Sequence, residues 1–306
     1  VTLDIRSPLP AGVASDEPLA SEQELRARRP LWFRRLKRRF GRTTAALTGA
    51  LFPTPLGRSL HRRLNAVREF REVELQFAGA ERLPTIAFLS DLHAGHFFTA
   101  DDARTIAARV MAWKPELILL GGDLINHHLD ELRQLAPLFD ALSAPLGVFA
   151  VPGNHDYEEP EFVAGWIKAV ESHGIPVLLN RGVRLEHSGK SLWLAGVDDL
   201  TEGHPSLRGA FAGRRADEPT ILLSHHPDVF EASSTEGVTL QLSGHTHAGQ
   251  WNFFGWAPLH HSRHGWVEGL HGRGPAHLFV GCGAGVTLLP LRIGTRSEVV
   301  LLRPRR

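Results

Sequence analysis

Five short apolar runs in this chain each end in a cluster of small and metal-ligating residues. No other feature constrains the fold as much. Residues 85–89 run into Ser90-Asp91-Leu92-His93, and 117–120 into Gly121-Gly122-Asp123. Residues 148–151 run into Pro152-Gly153-Asn154-His155-Asp156. Residues 221–223 lead to Ser224-His225-His226, and 240–242 to Ser243-Gly244-His245-Thr246-His247. Apolar runs this short, bounded by Gly and Ser, read as buried strands. In α/β sheets, sites form beyond the carboxyl ends of the strands, so the five clusters are expected to face one crevice.

The intervening segments set the layers. Helices are expected over 102–113, with Asp101 or Asp102 as cap, and over 129–142 and 162–173. A β-α-β-α-β-α order implies a largely parallel sheet with crossover helices. Residues 73–77 alternate apolar and polar side chains as a half-buried strand does. The second half is richer in strands, expected at 177–179, 183–185, 192–197, 277–280 and 299–302. Two mixed sheets with helices outside accommodate both halves.

The clusters share a chemistry. Asp91, His93, Asp123, Asn154, His225, His245 and His247 offer oxygen and nitrogen donors suited to divalent first-row metals. The single cysteine, Cys282, excludes a thiolate-rich site. Asp-x-His and His-x-His spacing puts two side chains on one side of an extended segment, which predicts ligand pairs without backbone strain. Taken one at a time, an Asp after a strand is a helix cap and a His is a surface or core residue. Together the seven describe a two-metal site, whose chemistry suits phosphoester hydrolysis. His155 has the ordinary pKa range for protonating a leaving group. Asp156 is expected to orient a neighbouring imidazole.

The composite Asp91-x-His93, Gly122-Asp123, Gly153-Asn154-His155-Asp156, His225 and Gly244-His245-x-His247 resembles the calcineurin-like metallophosphoesterases. The resemblance implies a four-layer α/β/β/α sandwich. It implies Asp91, His93, Asp123 and His247 on one metal and Asp123, Asn154, His225 and His245 on the other, with His155 near the phosphate and its leaving group. The implied ions are Mn, Fe or Zn, with Mn preferred. Residues 223–228 and 243–250, with Gly281-Cys282-Gly283-Ala284-Gly285 and Leu291-Arg292, are similar to a bacterial phosphodiesterase branch. That branch includes membrane-associated UDP-2,3-diacylglucosamine pyrophosphatases. Ala248 departs from it, where Gly is more usual, without touching a ligand.

Charge divides the chain. Residues 25–68 hold thirteen Lys and Arg and no acidic residue, so the rest is acidic although the net charge is only +1. Within 30–40, Trp32, Phe33, Leu36 and Phe40 lie at helical spacing among arginines, the pattern of an interfacial helix. The expected organisation is a tail and basic arm over 1–69 and a catalytic domain over 70–306. The arm, residues 26–68, is expected to meet an anionic membrane surface, with nucleic acid as the rival partner. No run approaches the ~18 apolar residues of a spanning helix. The expected location is the cytoplasmic side of the inner membrane; Arg38-Arg39-Phe40 only faintly resembles an export signal.

Trp251, Phe253, Phe254 and Trp256 form an aromatic segment after Gln250, able to wall an acyl chain. His96, Arg263 and His264 are candidate substrate contacts, and His127 and His128 are placed to line the crevice. The expected activity is metal-dependent hydrolysis of a phosphodiester or pyrophosphate bond on a phospholipid or nucleotide-linked lipid. UDP-2,3-diacylglucosamine is the most specific candidate. A nuclease or cyclic-nucleotide phosphodiesterase, and a non-catalytic scaffold, are the alternatives.

Overall fold

The computed structural model describes residues 54, 56, 57, 59, 68–95, 97–157, 162–252, 261–287 and 292–305. The amphipathic segment 30–40, His96, Phe253, Phe254 and Trp256 lie outside them. The strands are β1 Arg68–Leu75, β2 Ile86–Leu89, β3 Leu117–Leu120, β4 Val148–Ala150, β5 Arg181–His187 and β6 Lys190–Gly196. They continue with β7 Thr220–Leu223, β8 Leu240–Ser243, β9 Gly269–Arg273, β10 Ala276–Val280 and β11 Ser297–Pro304.

One sheet has the order β1-β11-β2-β3-β4, parallel except where β11 meets β2. The other runs β5-β6-β7-β8-β10-β9, with antiparallel pairs only at its two edges. Alternation along the strands builds the layers. Phe88 and Leu119 point between the sheets, where they pack with Leu194, Leu223, Leu242 and Phe279. Leu89, Ile118 and Leu120 point the other way, onto Ile106, Val110, Trp166 and Val170 of the helices α1 Ala100–Ala112 and α2 Phe162–Glu171. Ala195 and Leu222 meet Leu207, Ala210 and Val229 on the far side. The result is the expected α/β/β/α sandwich, and its inner strands are buried on both faces, as parallel sheets require.

Several local expectations change. Helix α1 starts earlier, because Thr99 rather than Asp101 or Asp102 is the cap; Asp102 closes the capping box from its third position. The helix expected over 129–142 is broken into a 3-10 segment, Leu129–Gln134, and one α-turn, Ala136–Phe139. Pro137 has no N–H to continue the first segment and is suited to starting the second. Val177 forms only an isolated bridge to Ala150, and 177–179 is no strand. Arg68, grouped with the basic arm on sequence, is the first residue of β1 and is buried. Its Nε donates to the Ala284 carbonyl at 3.0 Å, and its Nη1 lies 3.5 Å from Asp102 Oδ1. Burial lowers its pKa, and Asp102 partly offsets this. The sheet therefore reaches into the expected arm. No helix among the described residues is long and apolar enough to cross a membrane.

Candidate metal centre

The sheets place their polar strand ends face to face. Asp91, Asp123 and Asn154 follow β2, β3 and β4 of one sheet; His225, His245 and His247 follow β7 and β8 of the other. His93 Nε2 lies 3.0 Å from His247 Nε2, which is itself 3.4 Å from Asp91 Oδ1. His225 Nε2 is 3.2 Å from His245 Nδ1. Asp123 Oδ2 stands between these groups, 3.6 Å from His93 Nε2 and 3.3 Å from His225 Nε2. Three overlapping sets have donor atoms within 4.8 Å of one another: Asp91, His93 and His247; Asp91, Asp123 and His225; and His93, Asp123 and His155.

The donor chemistry fits divalent cations. A carbonyl oxygen only accepts, so the 2.8 Å contact of His225 Nδ1 with the Gly121 oxygen puts the proton on Nδ1 of the neutral ring. Its Nε2 faces Asp123 and is the atom a metal would take in place of a proton. The same logic applies to His155, whose Nδ1 donates to the Asn126 carbonyl at 2.8 Å while its backbone N–H donates to Asp123 Oδ1.

Burial and the close packing of acidic and imidazole groups set the protonation of the site. Burial raises the Asp91 carboxyl to about 6. Burial also opposes charge on His225, but Asp123, Asp91 and Asp199 outweigh it and hold that imidazole at about 10. Burial would raise Asp123, yet His225 and His155 drive it well below its ordinary value. Burial and the neighbouring His155 drive His93 well down, and burial with His93 and Arg292 does the same to His247.

The expectation of strain-free ligand pairs fails. Asp91, His93, Asp123, His245 and His247 all have positive φ, between 47° and 71°. Left-handed backbone at these strand ends turns the side chains inward, at a cost of order 1–2 kcal/mol each. Ala248, at φ 52°, continues the same turn, which gives a physical reason for Gly at that position. Glycines allow the close approaches here, Gly153 between neighbouring loops of one sheet and Gly244 between the two sheets. A Cβ at Gly153 would lie 2.3 Å from Asp123 Oδ1, and one at Gly244 would lie 2.2 Å from Asp91 Oδ2.

Other expected roles also change. Asp156 orients no imidazole: its Oδ2 accepts from Gly153 N at 2.8 Å and its Oδ1 from Ile125 N at 3.3 Å, so it fixes the two loops that carry Asn154 and Asp123. His264 turns to Glu231, 3.7 Å away, and that carboxylate also binds Arg273. Arg263 is exposed, and its backbone N–H donates to Asp228. His261 comes nearer the centre, with its ring 5.8 Å from that of His245.

Arg292 is a positioning group that the sequence marks only as part of a motif. Its Nη2 lies 3.1 Å from His247 Nδ1 and donates to the Gly285 and Gly283 carbonyls; Nη1 donates to the His247 carbonyl. Burial lowers its pKa to about 10. Its 45-residue separation from His247 hides this contact from local pattern.

A profile of the Calcineurin-like phosphoesterase family matches residues 84–249. The chain is 32% identical to the uncharacterized metallophosphoesterase YkuE of Bacillus subtilis, covering 71% of this chain and 77% of that one. It is 33% identical to phosphodiesterase YaeI of Escherichia coli, over 71% and 80% respectively. It is 30% identical to a zebrafish (Danio rerio) transmembrane protein with metallophosphoesterase domain, over 77% of this chain but only 57% of that protein.

Proposed function

This chain belongs to the calcineurin-like phosphoesterases and is a metal-dependent phosphoesterase; from that premise we propose that it uses two divalent ions to hydrolyse phosphodiester or pyrophosphate bonds of a lipid-linked substrate at a membrane surface. The observation that carries the two-ion reading is Asp123 Oδ2, set between His93 Nε2 and His225 Nε2. One carboxylate oxygen serves both groups. Asp91, His93, Asp123 and His247 hold the first ion; Asp123, Asn154, His225 and His245 hold the second. Imidazole and carboxylate donors suit Mn, Fe or Zn, and Mn is our choice among them. Such ions neutralise charge on the phosphoryl oxygens and make the attacking water more acidic.

The chain's own groups do the rest. His155, fixed at its Nδ1 by Asn126, would meet the phosphate and its leaving group through Nε2. Arg292 and Asp156 hold the loops that carry His247, Asp123 and Asn154.

The lipid reading rests on the basic segment and its apolar stripe, with Arg68 removed from the count because it is buried. UDP-2,3-diacylglucosamine is the specific substrate we propose, met at the cytoplasmic face of the inner membrane. The core test is Mn-dependent hydrolysis of bis(p-nitrophenyl) phosphate. Asp123→Ala is expected to lower it by more than about a hundredfold, beyond the usual loss for an outer-sphere partner. Wild-type protein without metal-dependent turnover would refute the reading. The lipid part is tested by flotation of the full chain: equal recovery on anionic and zwitterionic vesicles would remove the membrane claim. Turnover of the lipid nucleotide is to be compared with cyclic nucleotides and single-stranded DNA.

A further inference from the structure

The loop after Asp123 carries two histidines that the metal centre does not use. Its shape is set by one carboxylate. Glu131 Oε2 accepts from the backbone N–H groups of Asn126 at 2.9 Å, His127 at 2.7 Å and His128 at 3.0 Å. Three donors on one oxygen make a rigid turn. Gly95 leaves room for it: at φ 147°, a Cβ there would sit 2.8 Å from Glu131 Oε1. The Asn126 carbonyl in this turn is also the acceptor that orients His155. The clamp therefore fixes two imidazoles together. The His127 ring lies 5.9 Å from the His155 ring, which lies 4.8 Å from the His93 ring. Exposure rises outward along this row, from buried His93 through half-buried His155 and His127 to exposed His128.

We propose that the Glu131-clamped turn is a leaving-group subsite in which His127 binds a second phosphate, so that the enzyme favours pyrophosphate linkages over simple phosphodiesters. This rests on the phosphoesterase reading above, with His155 on the leaving-group side. With His155 on the leaving-group side, a second phosphate would lie outward along the row of rings, beside His127. A neutral alcohol gains little there; an anionic phosphate gains a hydrogen bond from an imidazole N–H. In the reaction, water adds to one phosphorus and the bond from that phosphorus to the bridging oxygen breaks. The bridging oxygen keeps the electron pair on the second phosphate. Two phosphate monoesters result, and the two protons of water pass to them or to the buffer.

The test compares His127→Gln and His127→Asn with wild type on two substrates. One is a P1,P2-dinucleoside pyrophosphate; the other is bis(p-nitrophenyl) phosphate, whose leaving group has no second phosphate. The variants should raise KM for the pyrophosphate about tenfold or more, the loss expected for a hydrogen bond to a charged group. Turnover of bis(p-nitrophenyl) phosphate should change less than about twofold. Calorimetry with a methylene-bridged diphosphonate diester, which is not cleaved, should show the same weakening in binding. Equal losses on both substrates, or no loss on either, would overturn the subsite. Wild type that cleaves bis(p-nitrophenyl) phosphate but not the pyrophosphate would overturn the subsite alone. Wild type that cleaves neither would overturn the phosphoesterase reading itself.

Discussion

At the scale of single residues, burial and neighbouring charge set how tightly the centre holds protons. Asp91 and His225 both bind a proton more tightly in the fold than in the unfolded chain, at about 6 and about 10 against ordinary values of 3.8 and 6.5. The Asp91 contribution to metal-free stability is complete below 3.8 and is lost as pH rises through about 6. That of His225 is complete below 6.5 and is lost as pH rises through about 10. Alkaline solution therefore leaves the metal-free centre with unneutralised carboxylates. Cations replace those protons, and their binding strengthens as the protons leave. The rise in melting temperature on adding Mn should accordingly be larger at about pH 8.5 than at about pH 6. An equal rise at both would show that these two groups do not compete with the metal. The ligand types themselves were legible in the sequence, because each follows an apolar strand. Their left-handed backbone was not: an Asp-x-His spacing is compatible with extended chain, and the turn is fixed by distant partners, such as the bonds of Asp91 N and His93 N to the Gly122 and Asp123 carbonyls.

At the scale of elements, α1 shows how a local signal and a distant one combine. Thr99 and Asp102 form a capping box, with Thr99 as the cap where the sequence pointed to Asp101 or Asp102. Asp102 has a second role, beside the buried Arg68 of β1, 34 residues away. Arg68 also packs over the Phe98 ring, with its guanidinium carbon 5.3 Å from the centroid. Thr99→Ala removes one cap and should cost about 1 kcal/mol in urea melts. Asp102→Ala removes the cap partner and also strands a buried guanidinium, so it should cost about 3–5 kcal/mol. Equal losses would mean that the Arg68 contact contributes nothing. The same division explains which elements were legible. The strands β2 and β3 are continuous apolar runs and β7 is one after Thr220, whereas β8 carries a buried Gln241 between Leu240 and Leu242. The strand β9, Gly-Leu-His-Gly-Arg, has no pattern of its own and exists because antiparallel pairing with β10 gives its backbone partners.

At the scale of the whole molecule, the two sheets share an apolar interface, but their polar ends meet only at the centre. Phe88, Leu194, Leu242 and Phe279 fix the sheets along their length. At the carboxyl ends the cross-sheet contacts include Asp123 with His225, Asp91 with His247, His93 with His247, and His245 N with Asp91. Cations shared by these residues would tie one sheet to the other at that end. Binding to the folded state alone stabilises it by about 2.7 kcal/mol at a hundredfold excess over Kd. This stabilisation should be local as well as global. Chelation should speed amide exchange in the loops after β2, β3, β7 and β8, where the strained ligands could relax. It should leave the paired centres of β6 and β7 at the global rate, because the apolar interface there does not depend on metal. Hydrogen exchange with and without chelator, read by mass spectrometry over these peptides, separates the cases. Uniform acceleration across both sheets would mean that the ions support the whole fold rather than joining its two halves at one end.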